Sequence, residues 1–199
     1  MDLRSAVIWG TMDDLEQVLQ TGEPADHVYS EKVDKSTPIH WASYNKFNDK
    51  LEKLIKSLPV ARRNKALNLP NINDVTPLFE AIWLGPNPDQ ADADPRRTPE
   101  EKERWRNNYA SRLENMPKTV DILLKLGANP FDDTKAKYWG NTPEQREPLN
   151  FYEFIAFQQK DLKESSPEYQ TLNACKVKID QARLLSLQKQ KQLADIYQK

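Results

Sequence analysis

The amino-acid sequence predicts an all-α fold, and three observations carry this prediction. The dipeptide Thr-Pro recurs at residues 37–38, 76–77, 98–99 and 142–143, and it suits the N-cap and the first position of a helix. Apolar or small residues follow the first two of these dipeptides at the spacing of one buried helix face. Glycine is scarce, at 5 of 199 residues, proline reaches 14, and the apolar/polar alternation of strands is absent.

Composition limits the class of partner. Lys and Arg total 29 against 30 for Asp and Glu, and the resulting net charge of -1 gives no global field for nucleic acid or anionic lipid. The single cysteine, Cys175, cannot form an internal disulfide. The N-terminus does not resemble a signal peptide, and no apolar run reaches the roughly 18 residues of a membrane-spanning helix. We expect a soluble, monomeric, cytoplasmic protein that binds neither nucleic acid nor a membrane.

Two short helices are predicted at the N-terminus, where residues 6–22 read AVIWGTMDDLEQVLQTG. Gly10 separates the two helices, and Gly22 ends the second one. Leu15 and Val18 lie on one face of that second helix. The segment is therefore predicted to bury one apolar face against a neighbouring element.

The next segment contains STPIHWAS at residues 36–43, which predicts a helix start, followed by DKLEKLIK at residues 49–56. Thr37 can accept a hydrogen bond from an early backbone N–H, and Pro38 takes the first helical position, where its missing N–H is not needed. VTPLFEAIWLG at residues 75–85 repeats this helix start, and VDILLKLGANP at residues 120–130 contains an apolar run followed by Gly-Ala-Asn.

Taken together, these motifs resemble the ankyrin-repeat family, whose unit of about 33 residues carries the signature T-P-L-H-x-A and a second helix. The resemblance covers roughly residues 2–143 and implies a solenoid of three to four units. It implies that residues 6–22 form a first, capping unit and that residues 50–55 and 120–130 lie in second helices. It implies that His40 braces the turn by hydrogen bonding to threonine and nearby backbone, as a scaffold residue. The chain departs from the family at Phe79, which replaces the signature histidine, and at residues 57–72, which predict an enlarged loop.

A second departure is an insert in the third unit, where about 30 residues separate its two helices beyond the usual spacing. Thr98, Pro99 and Glu101 form a capping-box pattern, so a helix is predicted from about Pro99 to Asn115. An alternative interpretation makes this helix the start of a degenerate repeat. Its basic residues lie among glutamates, which favours an ion-paired face over a patch for phosphate or an acidic partner. The basic cluster consists of Arg96, Arg97, Lys102, Arg104, Arg106 and Arg112.

Two further helices are predicted at the C-terminus. Asn150 and Glu153 form a capping box before an apolar helix that we expect to cover the open end of the stack. Ser166 and Pro167 begin a long helix that runs towards the end of the chain. We therefore divide the chain into an ankyrin-repeat stack at residues 1–148, with the helical insert at about 86–116, and a C-terminal helical cap at 149–199.

The sequence carries no recognisable catalytic or metal-binding motif. It contains no P-loop, dinucleotide-binding or nucleophile-elbow pattern. His27 has no cysteine or second histidine at ligand spacing. Cys175 lies on the apolar stripe of a predicted helix and is interpreted as a buried hydrophobic residue. We therefore predict a non-enzymatic protein without catalytic residues, metal or cofactor.

Partner-binding residues follow from the resemblance, because the first helix of each ankyrin unit lines a concave groove. The leading hypothesis is an intracellular protein-interaction module that presents this groove and the turn tips to another protein. An open groove and a groove covered by the insert or by the C-terminal helix are both retained. The groove positions are Ile8, Trp9, Trp41, Tyr44, Asn45, Glu80, Trp83 and Leu84, and the turn tips include Asp34, Lys35, Asp74 and Trp139.

A second hypothesis makes the stack the targeting part of a regulator or of a secreted bacterial effector. Such a protein would act on host machinery in the host cytosol. The sequence shows no secretion signal that separates this hypothesis from the first.

Overall fold

The computed structural model describes residues 1–29, 35–85, 88, 95–131, 136–137 and 148–197. These residues are mostly helical, which confirms the all-α class. The helices are α1 Leu3–Ile8, α2 Met12–Gln20, α3 Pro38–Asn45, α4 Asn48–Ser57, α5 Val60–Leu67, α6 Pro77–Ile82, α7 Pro99–Leu126, α8 Phe151–Gln159 and α9 Pro167–Tyr197. Two short strands, β1 Ala136–Lys137 and β2 Pro148–Leu149, pair antiparallel, with Ala136 opposite Leu149.

The helices form two layers with the hydrophobic core between them. In one layer α1 packs against α3, and α3 packs against α6. In the other layer α2 contacts α4, and α4 contacts α7. The layers are joined within each pair, α1 to α2, α3 to α4 and α6 to α7. Each short helix therefore buries its apolar face against a partner and a neighbour.

His40 lies in this interior, only 1% exposed. Its Nδ1 accepts from the backbone N–H of Thr37 at 3.2 Å and lies 2.9 Å from Thr37 Oγ1. Since Nδ1 is an acceptor, Nε2 carries the proton and donates to the carbonyl of Val75 at 3.2 Å. The predicted bond to Thr37 is confirmed, and the ring also ties α3 to the segment before α6.

Phe79 occupies the corresponding position in α6. Phe79 stacks on Phe151 of α8 with ring centroids 4.4 Å apart, and its centroid lies 5.5 Å from that of Phe154. Without a histidine beside it, the buried Thr76 Oγ1 has no hydrogen-bond partner in the described part of the chain. The substitution that breaks the motif therefore provides the surface on which α8 docks.

The two threonines provide a matched test of this difference. Thr37→Val removes a helix cap and the contact with His40, so we expect the free energy of unfolding to fall by about 1–2 kcal/mol. Thr76→Val removes a hydroxyl that has no partner, so we expect stability to stay unchanged or to rise slightly. Urea denaturation of both variants measures the two effects. Equal losses in the free energy of unfolding would show that the hydrogen-bonded hydroxyl of Thr37 stabilises the fold no more than the unpaired hydroxyl of Thr76.

The structure corrects the predicted end of the inserted helix. The prediction placed it near Asn115, because proline usually ends a helix at the preceding residue, but α7 continues through Pro117 to Leu126. Contacts to α4 hold the helix together on both sides of the proline. Asn48 donates to Asn115 Oδ1 at 3.0 Å and accepts from Thr119 Oγ1 at 2.8 Å. The insert is therefore an N-terminal extension of the second helix of its pair.

A second correction concerns residues 57–72, which were predicted as an enlarged loop. Val60–Leu67 forms α5, which contacts α7. Ala66 and Leu67 are buried, and burial of apolar side chains stabilises a helix whose sequence alone gives a weak signal. At the end of α5, Asn68 accepts from the backbone N–H of Asn129 at 2.7 Å. The segment is therefore tied to the end of α7.

The two C-terminal helices pack on the same body. α9 contacts both α7 and α8, and it buries Leu172, Cys175 and Ile179. Burial raises the pKa of the Cys175 thiol to about 12, as expected for a cysteine in the core. In the described ranges, no helix combines the length and hydropathy needed to cross a membrane.

Candidate functional site

A pocket of about 440 Å³ lies between the C-terminal ends of α1 and α3 and the N-terminal half of α7. It brings together four of the eight predicted groove residues, Ile8, Trp9, Tyr44 and Asn45. The inserted helix supplies much of the opposite wall. The lining residues are Ile8, Trp9, Tyr44, Asn45, Lys46, Phe47, Trp105, Asn108, Tyr109, Ser111, Arg112 and Asn115.

Trp9 stands at the rim of this pocket, and its side chain is 83% exposed. It is the C-cap residue of α1, and the chain turns directly after it at Gly10. A Cβ at Gly10 would lie 2.9 Å from the carbonyl of Ala6 and 3.0 Å from Asp14 Cβ, so this close turn requires glycine. The turn holds a large aromatic side chain in solvent, where folding gains little from it.

Arg112 of α7 covers one face of Tyr44. Its guanidinium carbon lies 4.5 Å from the centroid of the Tyr44 ring, and Nη2 donates to the Tyr44 carbonyl at 3.0 Å. The guanidinium also lies close to Gly85, where an added Cβ would be 2.8 Å from Nη1. Trp83 contacts Tyr44 with ring centroids 5.0 Å apart. The predicted cover of the groove by the insert is therefore present at Tyr44.

Lys46 forms the floor of the pocket. Its backbone is left-handed, with φ 60°, and the residue is only 2% exposed. Nζ donates to the carbonyl of Glu80 at 2.5 Å. Burial, with a further contribution from the nearby Arg112 charge, holds the pKa of the Lys46 amine well below its ordinary value.

The charges around the pocket are unbalanced. None of the described lining residues carries a carboxylate, although two carry basic groups. Within the part of the chain that the structure describes, no salt bridge involves Lys46 or Arg112. Among the residues that the structure describes, the buried donors Arg112 Nε and Trp105 Nε1 have no hydrogen-bond acceptor. The site is chemically suited to an anion that also presents apolar surface.

The remaining predicted residues do not line this pocket. The guanidinium carbon of Arg4 lies 4.6 Å from the centroid of the Trp41 ring. The Trp41 carbonyl accepts a hydrogen bond from Asn45 Nδ2. The Glu80 carboxylate accepts from Asn71 Nδ2 at 3.5 Å. Trp83 is partly buried against the core. Asp34 and Trp139 lie outside the described residues.

Sequence reasoning did not assign Lys46, Phe47, Trp105, Tyr109 or Arg112 to the site. The four-residue spacing of Trp105 and Tyr109 in the sequence indicates an apolar helix face, but it does not show where that face packs. Lys46 gave no signal, because a surface lysine has the same local sequence pattern. The assignment of Lys46 to the pocket, and that of the Trp105 and Tyr109 face, depend on contacts between segments that are distant in the chain.

No protein-family model, curated protein or solved structure matches this chain. The chemistry of the site therefore rests on the geometry of its own residues.

Proposed function

We propose that this chain is an ankyrin-type solenoid that acts as a non-enzymatic protein-interaction module. The stacked pairs α1/α2, α3/α4 and α6/α7 support the solenoid. The turns before α3 and α6 also support the solenoid. Lys35 has φ 54° and lies two residues before Thr37, and Asp74 has φ 59° and lies two residues before Thr76. The same unusual backbone conformation thus recurs at equivalent positions of two successive units.

The observation that carries the binding function is the exposed Trp9 at the rim of an aromatic-lined pocket. Five of the twelve lining residues are aromatic. Tryptophan and tyrosine combine large apolar area with a polar group and few rotamers, which makes them frequent anchors of protein interfaces. The proposed interface therefore differs from the predicted groove. It is centred on Trp9, Tyr44 and the insert helix, while Trp41 and Trp83 flank it.

Trp9→Ala is expected to abolish most partner binding while leaving the fold intact. Removing an interface tryptophan commonly costs 2 kcal/mol or more, about thirtyfold in affinity, whereas a largely exposed side chain changes stability by only about 0.5 kcal/mol. Photocrosslinking of the full chain in cell lysate, with a photoreactive group at Ser111 on the pocket wall, identifies the proteins that contact this surface. The same crosslinks should weaken in Trp9→Ala.

Val60→Ala is the matched control. Val60 is another largely exposed apolar residue, 75% exposed on α5, and it does not line the pocket. Its replacement should leave the crosslinks unchanged. If Trp9→Ala and Val60→Ala retain the same crosslinked proteins at the same yield, the pocket is not the partner surface.

A further inference from the structure

We propose that the pocket receives a carboxylate side chain of the partner, an aspartate or glutamate in an exposed segment, with Arg112 as the cation that it meets. The aromatic walls formed by Trp9, Tyr44 and Trp105 pack against the apolar groups around that carboxylate. This inference rests on the proposed function and specifies the chemistry of the partner.

The first argument is the donor capacity of Arg112. A guanidinium has five N–H groups. Among the described residues, these groups have a single acceptor, the carbonyl of Tyr44. The guanidinium is held in place by its stack on the Tyr44 ring and by its close approach to Gly85. A positioned guanidinium with unused donors at a pocket wall suits a carboxylate, which can accept two parallel hydrogen bonds from it.

The second argument is charge complementarity. The described lining residues contain no acid, and apart from Arg112 and Lys46 their polar groups are neutral amides, hydroxyls and two indoles. Trp105 Nε1 has no acceptor among the described residues, so its N–H dipole adds to the positive potential that Arg112 creates. In a partly desolvated site this potential attracts an anion more strongly than it would in water.

The number of fixed charges favours a carboxylate over a phosphate or nucleic acid. Lys46 is only 2% exposed and its amine donates to the Glu80 carbonyl, which leaves Arg112 as the cation of the lining with unused donors. A monoanion matches one cation, whereas phosphate groups and nucleic-acid backbones usually require several basic residues. Nor does the chain's net charge of -1 supply a wider positive field.

Peptide selection on the full-length protein tests the proposal. A displayed library of random twelve-residue peptides is selected for binding, and the best binders are resynthesised with each Asp or Glu replaced by Asn or Gln. We expect one acidic position to be essential, with affinity falling about tenfold or more on its neutralisation. Arg112→Gln should lower the affinity for the acidic peptide by a similar factor, and neutralising the peptide's acid should not lower the affinity of this variant further. Arg112→Lys should recover part of the preference for the acidic peptide over the neutral one.

Arg104→Gln is the control, because it removes the same charge from an exposed position of α7 outside the pocket. It should leave both affinity and acidic preference unchanged, and circular dichroism verifies that each variant folds. If Arg112→Gln does not fold, Arg112→Lys and the peptide substitutions decide the result.

The outcomes separate this inference from the proposed function. Peptides that depend on Trp9 but bind equally well with Glu or Gln would overturn the carboxylate proposal and leave the interaction surface standing. The carboxylate proposal would also be overturned if the selected peptides all required a cluster of several acidic residues, as a phosphate mimic would. The same holds if free glutamate inhibited peptide binding as strongly as the unlabelled peptide does. A selection without any Trp9-dependent peptide would contradict both proposals.

Discussion

Phe79→Ala is expected to lower the free energy of unfolding by about 3–5 kcal/mol, the range for truncating a buried aromatic side chain. Phe79 is buried, and its ring is stacked on Phe151 and tilted against Phe154. Its removal would leave a cavity between α6 and α8 and take away the main aromatic contact that docks α8. Guanidinium denaturation followed by far-ultraviolet circular dichroism measures the loss.

Phe79→Leu separates apolar volume from ring stacking. Leucine keeps much of the volume, so most of the stability should be recovered, with a remaining cost of about 1.5 kcal/mol or less. A loss below about 1 kcal/mol for Phe79→Ala would show that the cavity collapses or that α8 is held by other contacts. In either case the docking role assigned to Phe79 would be wrong.

The starts of the helices were predictable because they depend on neighbouring residues. The predicted starts at Pro38, Pro77, Pro99 and Pro167 are confirmed, as is the Asn150 cap of α8. A cap and a proline act within one helical turn, so one sequence contains the full signal.

Tertiary contacts decided the elements that sequence reasoning missed. Pro117 remains inside α7 because Asn48 binds Asn115 and Thr119 on either side of it. The fused helix, in turn, places Arg112 on Tyr44. The family resemblance aligned Trp9, Tyr44 and Asn45, but it could not predict the wall that an insert outside the repeat contributes. Sequence reasoning therefore predicted the residues that α1 and α3 contribute to the site, but not those that α7 contributes.

The free energy of unfolding of Lys46→Met is expected to rise relative to that of the unchanged protein as the pH falls below 10.5, the ordinary pKa of lysine. Burial lowers the pKa of Lys46 in the folded state. Between that lowered pKa and 10.5, the unfolded chain binds a proton that the folded chain does not. The unchanged protein therefore loses about 1.4 kcal/mol of stability for each pH unit of descent through this window.

Cys175 acts in the opposite direction and must be separated from this effect. Its pKa is raised to about 12 from 9.0, so above pH 9 the unfolded chain loses a proton that the folded chain keeps, and stability falls as the pH rises. Lys46 and Cys175 also influence each other's pKa. The comparison is therefore made in a Cys175→Ala background as well.

Urea denaturation at a series of pH values, from 10.5 downwards, measures the difference between the Lys46→Met variant and the unchanged protein. Methionine cannot donate to the Glu80 carbonyl, which Lys46 does at 2.5 Å, and this lost bond adds a cost of about 1–3 kcal/mol that does not vary with pH. The slope with pH, and not the absolute difference, therefore reports burial of the amine. A difference that stays flat across the series in both backgrounds would mean that water reaches Lys46 Nζ. Lys46 would then be a second cation accessible from the pocket, and the preference for a monoanion over a dianion would lose its basis.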